Sequence, residues 1–210
     1  DHMFGSKRLP CESGYYEVYN QDNVLLVDVK SAPIERITRT GIKTTDNEYE
    51  FDVIIYATGF DAVSGPLTRI DIRGEKGQSF KEKWADGPRN YLGIQAAGFP
   101  NFFIGAHSAF CNYTVCAEMM VEWLTDCIGH LREKHLASIV PTLQAEQDWV
   151  DHKNKIGSQT LLYTETNNWF NGGNIPGKAR AIQMYANTLP EYRKKFNEAA
   201  ANGYKEFVLR

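Results

Sequence analysis

Apolar positions fall into two regimes along the chain: short runs bounded by turn-formers before residue 60, and repeats at helical spacing after residue 110. Residues 23–28 (Asn-Val-Leu-Leu-Val-Asp) are compact and rich in branched side chains, as a buried strand requires. Residues 34–44 carry Ile34, Ile37 and Ile42 around a Thr40-Gly41 turn. Residues 49–56 (YEFDVIIY) end in a continuous apolar stretch before Ala57-Thr58-Gly59. Together these predict a small sheet whose last strand delivers a glycine turn. Gly65-Pro66, Gly74, Gly77 and Gly87-Pro88 then punctuate residues 61–100, which predicts short elements and ordered loops.

Residues 101–105 (NFFIG) have the length and composition of a core strand. A long helix is predicted over 115–135, where Ala117, Met120, Val121, Leu124, Cys127, Ile128 and Leu131 form one apolar stripe. A second begins near Thr142, a good N-cap, with Leu143, Trp149, Val150 and Ile156 on one side. Residues 164–178 (TETNNWFNGGNIPGK) are polar and glycine-rich around a tryptophan, a loop too long to be a mere connector. The tail reads as a strand (181–185), a helix (191–201) and a last short strand ending at Leu209.

With 42% hydrophobic residues among 210, the chain has material for one ordinary core or two small lobes. Its 23 basic and 26 acidic side chains give a net charge of −3 with no long single-sign run, so neither nucleic acid nor an anionic membrane is an expected partner. No stretch approaches the roughly 20 apolar residues of a membrane span, and a cytosolic protein is expected. Cys11, Cys111, Cys116 and Cys127 lack CxxC spacing, which predicts free thiols and no structural zinc. His130 and His135, with Glu133, are five residues apart and so do not share a helical face for a metal. Cys111 and His107 form a thiol–imidazole candidate without a third orienting group.

Several segments, in order and over nearly the whole chain, resemble the flavin-dependent Baeyer–Villiger monooxygenases of the cyclohexanone and phenylacetone monooxygenase type. They are FGSKRLPCESGYYEVYNQDNVLLVD, DVIIYATGFDA, IDIRG with KEKWADGPRNYLGIQAAGFPNFF, and WFNGGNIPGK with GYKEFVL. The resemblance implies an α/β flavoprotein portion: the C-terminal part of a protein with two dinucleotide-binding domains, a small mixed sheet followed by a mainly helical part. Residues 1–60 would end the NADP-binding domain and return linker. Residues 61–210 would complete the FAD domain, with the substrate pocket and a control loop at about 164–178.

It further implies that FAD is reduced by NADPH and reacts with O2, and that the resulting flavin peroxide attacks a small-molecule ketone to give an ester or lactone. That chemistry belongs to the cofactor, while the protein supplies position and charge. By the match, Arg8 would be the catalytic residue that stabilises the peroxide, since arginine stays ionised, and Lys7 would meet the 2′-phosphate of NADPH. Ala57, Thr58, Gly59 and Asp61 match the linker turn near the cofactors. Phe110, Cys111 and Tyr113 match positions lining the substrate pocket. Asn112 would face the flavin pyrimidine oxygen at a helix N-terminus. Trp169 matches the tryptophan of a mobile loop that folds over the nucleotide and touches the substrate site, and Asn174, Pro176, Gly177 and Lys178 match its second half.

Two departures stand beside the match. No GxGxxG phosphate-cradling turn occurs, so the flavin fold is expected from a preceding N-terminal segment or a separate chain. Residues 104–110 are also shorter than the family's loop there. Two other readings follow from these departures: a cofactor-free isomerase, cyclase or hydrolase built on Phe110, Cys111, Tyr113 and His107, or a non-catalytic binding module.

Overall fold

The structure, a computed structural model, describes Lys7 and residues 11–105, 109–164 and 168–210. The chain divides into two compact units, a smaller one within Leu9–Gly59 and a larger one of Phe60–Arg210 to which Lys7 also belongs.

The smaller unit opens with a single helical turn, α1 (Tyr15–Val18), and contains one antiparallel sheet in the order β1 (Ile34–Ile37), β2 (Gly41–Thr44), β3 (Glu48–Glu50). The expected hairpin around Thr40-Gly41 forms: Ile37 faces Ile42, and Ile42 in turn faces Tyr49. Gly41 is required at its position, because a Cβ there would lie 1.8 Å from the carbonyl oxygen of Tyr49. Thr44 closes the second turn by donating to Asp46 Oδ1 at 2.6 Å.

Two expectations fail in this unit. Residues 23–28 form no strand, and the third strand stops at Glu50 rather than continuing to Tyr56. Leu25 is 71% exposed and Ile55 84% exposed. A strand is defined by ladder hydrogen bonds to a neighbour; the last such bond runs from Phe51 N to Thr40 O at 2.9 Å, and among the described residues no strand pairs with residues 23–28 or 52–56.

The larger unit is mainly helical. It begins with two short helices, α2 (Gly65–Arg69), with Pro66 in its first turn, and α3 (Phe80–Lys83). Ser79 and Glu82 form a reciprocal capping box on α3, which fixes the entry of that turn. Phe80, Trp84, Ala96, Phe99 and Ile104 pack into a first core cluster.

The main core is built on α4 (Tyr113–Glu133), α5 (Leu143–Gly157) and α7 (Leu189–Ala201), with the short α6 (Leu161–Thr164) between the last two. Antiparallel β4 (Ile139–Pro141) and β5 (Phe207–Leu209) close the end of the chain, Val140 facing Val208. Thr142 caps α5 by accepting from Ala145 N at 3.1 Å, as its position in the sequence suggests. α7 starts two residues before the expected 191 because Pro190 fits a first helical turn.

On α4 the buried stripe is Cys116, Met119, Met120, Trp123, Cys127 and Leu131, whereas Val121 is 60% exposed. The stripe is thus rotated from the expected one, drawn toward Trp123, which meets Phe196, Tyr204 and Phe207. Leu143, expected inside, faces out, and the buried face of α5 carries Glu146 and Lys153 instead. Residues 101–105 form no strand: Asn101, with φ of 56°, uses its side chain to bond Ala137 O and Ile139 N. Residues 181–185 form no strand; among the described residues they share a single bridge, Tyr185 with Ala109.

Candidate functional site

The N-terminus of α4 is the meeting point of several expected site residues. Asn112 caps the helix, its Oδ1 accepting from Thr114 N at 3.1 Å and from Thr114 Oγ1 at 2.7 Å. The first turn of this 21-residue helix carries no acidic side chain, so its own residues do not offset the partial positive charge there. Tyr113, the first helical residue, is exposed, and Phe110 is 36% exposed just before the cap.

Phe110 is held from two sides. Its amide donates to Tyr185 O at 3.0 Å, and its ring lies 4.5 Å from that of Phe170. Phe170 in turn packs against Trp169, with ring centroids 3.9 Å apart and planes tilted by 33°. Trp169, Phe170 and Phe110 therefore form a continuous aromatic run from the glycine-rich loop to the helix terminus. A small cavity beside it is lined by Phe110, Phe170, Ile182, Met184 and Ala186. Sequence reasoning missed Phe170 and Met184. Adjacency to Trp169, and the alternation of Ile182 with Met184, were the available signals.

Cys111 and Cys116 are paired as a disulfide, with their Cα atoms 6.2 Å apart, which corrects the expectation of four free thiols; Cys11 and Cys127 are free. Burial pushes the Cys127 thiol up to about 11. The turn at 61–65 presents the half-buried Asp61, whose carboxylate is engaged by Lys178 at the end of the loop.

Lys7 is exposed, and Arg8 and His107 lie outside the described residues. In the smaller unit, Ala57, Thr58 and Gly59 are exposed, and Gly59 takes φ of 88° with nothing within 4 Å of where a Cβ would stand. That is backbone a ligand could approach closely. Among the described residues no three His, Cys, Asp or Glu side chains converge as metal ligands, and no helix is long and apolar enough to cross a membrane.

Two larger cavities lie away from the aromatic run. One, of about 230 Å³, is lined by Val63, Leu67, Trp84, Asn90, Ile104 and Gln183. The other, of about 260 Å³, lies among Tyr91, Trp149, His152, Glu198 and Glu206. Burial lowers the pKa of His152, whose Nε2 sits 3.2 Å from the Tyr185 hydroxyl.

A flavin fits this arrangement at one edge. The N-terminal end of α4 suits a polarised carbonyl or developing anion, and the aromatic run suits a flat ring system or its substrate. The phosphates of a dinucleotide have no glycine-rich cradle in this sequence.

No family model matches the chain. Over its whole length it is 45% identical to 2-oxo-Δ3-4,5,5-trimethylcyclopentenylacetyl-CoA monooxygenase of Pseudomonas putida, and 42% identical to the methyl acetate-forming acetone monooxygenase of Gordonia sp.. It spans 39% and 40% of those two relatives, about two-fifths of their length. Among solved structures, the cyclohexanone monooxygenase of Rhodococcus sp. Phi1 bound to NADP+ superposes with a TM-score of 0.92 at 38% identity, covering 98% of this chain and 39% of that one. A complex of OTEMO with FAD and NADP gives the same TM-score at 45% identity, covering all of this chain and 39% of the other.

Proposed function

Because the chain is a homologue, over its whole length, of the C-terminal portion of the Baeyer–Villiger monooxygenases, we propose that it is the substrate-site portion of an FAD- and NADPH-dependent ketone monooxygenase. In this reading a flavin-binding segment, preceding it or carried on a separate chain, completes the site, and the enzyme works in the cytosol. The product is an ester or lactone. The supporting observation is the continuous aromatic run, which joins the residue matching the control-loop tryptophan to a residue matching the substrate pocket.

Each residue has a task that its chemistry suits. The flavin, when bound, supplies the redox chemistry and the activated oxygen. The N-terminal end of α4, capped by Asn112, presents its positive pole to the flavin pyrimidine edge. Phe110, the Cys111 position and Tyr113 bound the ketone pocket. Arg8 provides a charge that cannot be lost by deprotonation, holding the polarised carbonyl and the reacting oxygen together. Lys7 pairs with the 2′-phosphate of NADPH, and Ala57, Thr58, Gly59 and Asp61 form the turn beside the cofactors. Trp169 closes over the nucleotide, excluding water.

The deciding experiment is Arg8→Ala in the flavin-loaded enzyme. Flavin bleaching by NADPH persists in the variant, whereas ester formation falls by about three orders of magnitude or more, the scale of losing a charge that acts on the transition state. Ester formation at the parent rate would sink the assignment.

A further inference from the structure

Residues 168–183 fold back on themselves. Ala181 N donates to Asn171 O at 3.1 Å and Gln183 N to Phe170 O at 2.9 Å, so the loop enters and leaves at one place. Inside it, Asn168 Oδ1 accepts from Asn171 N, and Asn171 Oδ1 from Gly173 N. The far end of the loop is tied to a distant part of the sequence. Lys178 Nζ donates to Asp61 Oδ1 and, at 3.3 Å, to Ala62 O.

Three features mark this tie as more than a surface ion pair. The side chains of Lys178 and Asp61 are only 16% and 21% exposed, so the pair is shielded from much of the solvent screening that makes surface pairs weak. A glycine leaves it room on the Asp61 side. A Cβ on Gly65 would stand 2.5 Å from Asp61 Cγ, whereas one on Gly172 would only touch Lys178 Cδ at an ordinary 3.5 Å. The remaining exposure still lets water reach the charges, so the tie can break and re-form, as the tether of an opening loop must.

We propose that Asp61 and Lys178 form an anchor that fixes the Trp169 loop on the 61–65 turn, which makes both of them positioning residues for closure over the nucleotide. The anchor deepens the monooxygenase reading and rests on it for the identity of the ligand. The ring of Trp169 packs against Phe170 at one end of the loop, and this ion pair holds the other end. Losing the second frees residues 174–178 while the aromatic contact persists.

Hydrogen exchange of the 168–178 amides in the 210-residue chain tests the anchor without reference to catalysis. Lys178→Met and Asp61→Asn should each speed exchange about tenfold, the scale of one charged hydrogen bond. The double variant should exchange no faster than either single one, and Lys178→Arg should stay near the parent. Gly65→Ala, which pushes into Asp61, should mimic Asp61→Asn. In the flavin-loaded enzyme the same variants should release NADP+ about tenfold faster and raise KM for NADPH more than they lower kcat. Unchanged exchange in both single variants, or additive effects in the double, overturns the anchor. Parent enzyme that binds no NADP+ would instead sink the monooxygenase reading, and the exchange result would still decide the anchor.

Discussion

The two units start from equally apolar sequence and end very differently. In Leu9–Gly59 only Ala32, Gly41 and Thr44 are buried among the described residues, whereas in Phe60–Arg210 whole faces of α4, α5 and α7 are enclosed. Leu25, Leu26 and Ile55 stand in solvent while Ile94, Phe80 and Cys127 are fully covered. An apolar run becomes a core strand only where neighbours supply ladder hydrogen bonds and a facing layer. The larger unit has such partners within its own sequence, and the smaller has them only for its hairpin.

The sharpest way to break the comparison is to damage the larger unit where its order is most dependent on one side chain. Glu146 is fully buried. Its Oε1 accepts from Ala97 N at 2.8 Å, and its Oε2 meets Lys83 Nζ at 2.6 Å and Arg89 Nε at 3.6 Å. Glu146→Ala strands a buried ammonium and an amide, and should destabilise the unit by about 3–5 kcal/mol. Urea titration followed by tryptophan fluorescence reads this directly, because Trp84, Trp123 and Trp149 are all buried there. A shift in stability below about 1 kcal/mol would show that the cluster is not what holds the 83–97 stretch to α5.

That cluster also shows what the sequence could reveal. The existence of α4, α5 and α7 was legible because apolar residues recur at helical spacing and Thr142 can cap, whereas the start of α4 at Tyr113, capped by Asn112, lies two residues before the expected 115. The inward face of α5 was not legible, since Glu146 and Lys153 read as solvent positions until partners 50 to 65 residues away are brought to them. Residues 101–105 were misread because a β-like composition does not reveal that Asn101 will turn at positive φ and bond Ile139 with its side chain. Of the proposed site, Phe110, Asn112 and Trp169 were picked out through family resemblance. Phe170 and Met184 were missed because their role comes only from the fold-back of residues 168–183.

The next effect in size has the opposite sign. Burial, and after it the charge of Arg89, pull the Lys153 ammonium down to about 8 from its ordinary 10.5. Folding therefore releases a proton that the unfolded chain keeps between these two values, and the contribution of Lys153 to stability rises as pH climbs through that window. Lys153→Met removes the penalty while leaving Glu146 paired to Lys83. It should stabilise the chain by about 1–3 kcal/mol at pH 7, a gain that fades between pH 8 and 10.5. Comparing variant with parent at each pH cancels the losses from Cys127 and Tyr204, whose pKa values burial raises to about 11 and about 12. A gain that does not change with pH would mean that the Lys153 ammonium titrates alike in the folded and unfolded chain, and that burial does not shift it.

Thr142→Ala tests the larger unit at the level of one local hydrogen bond. Losing the cap on Ala145 N should destabilise it by about 1 kcal/mol, with Thr142→Ser nearly silent. Thermal unfolding of the three proteins side by side would separate the cap from general loss of side-chain contact, because serine keeps the hydroxyl and drops only the methyl.

The smallest expected effect sharpens the comparison most. Leu25→Ser and Ile55→Ser replace side chains that are 71% and 84% exposed, so within the 210-residue chain each should change stability by less than about 0.5 kcal/mol. If a flavin- and nucleotide-binding segment completes this unit, as proposed, the same two runs acquire strand neighbours and a covering layer. Each substitution should then cost about 1–3 kcal/mol in the assembled enzyme, the value of burying one aliphatic side chain. Denaturant midpoints of parent and variants, measured with and without that segment, give the difference. An effect of equal size in both settings would mean that these residues stay exposed in the complete enzyme, and that the smaller unit is a surface module whose apolar runs have some other partner.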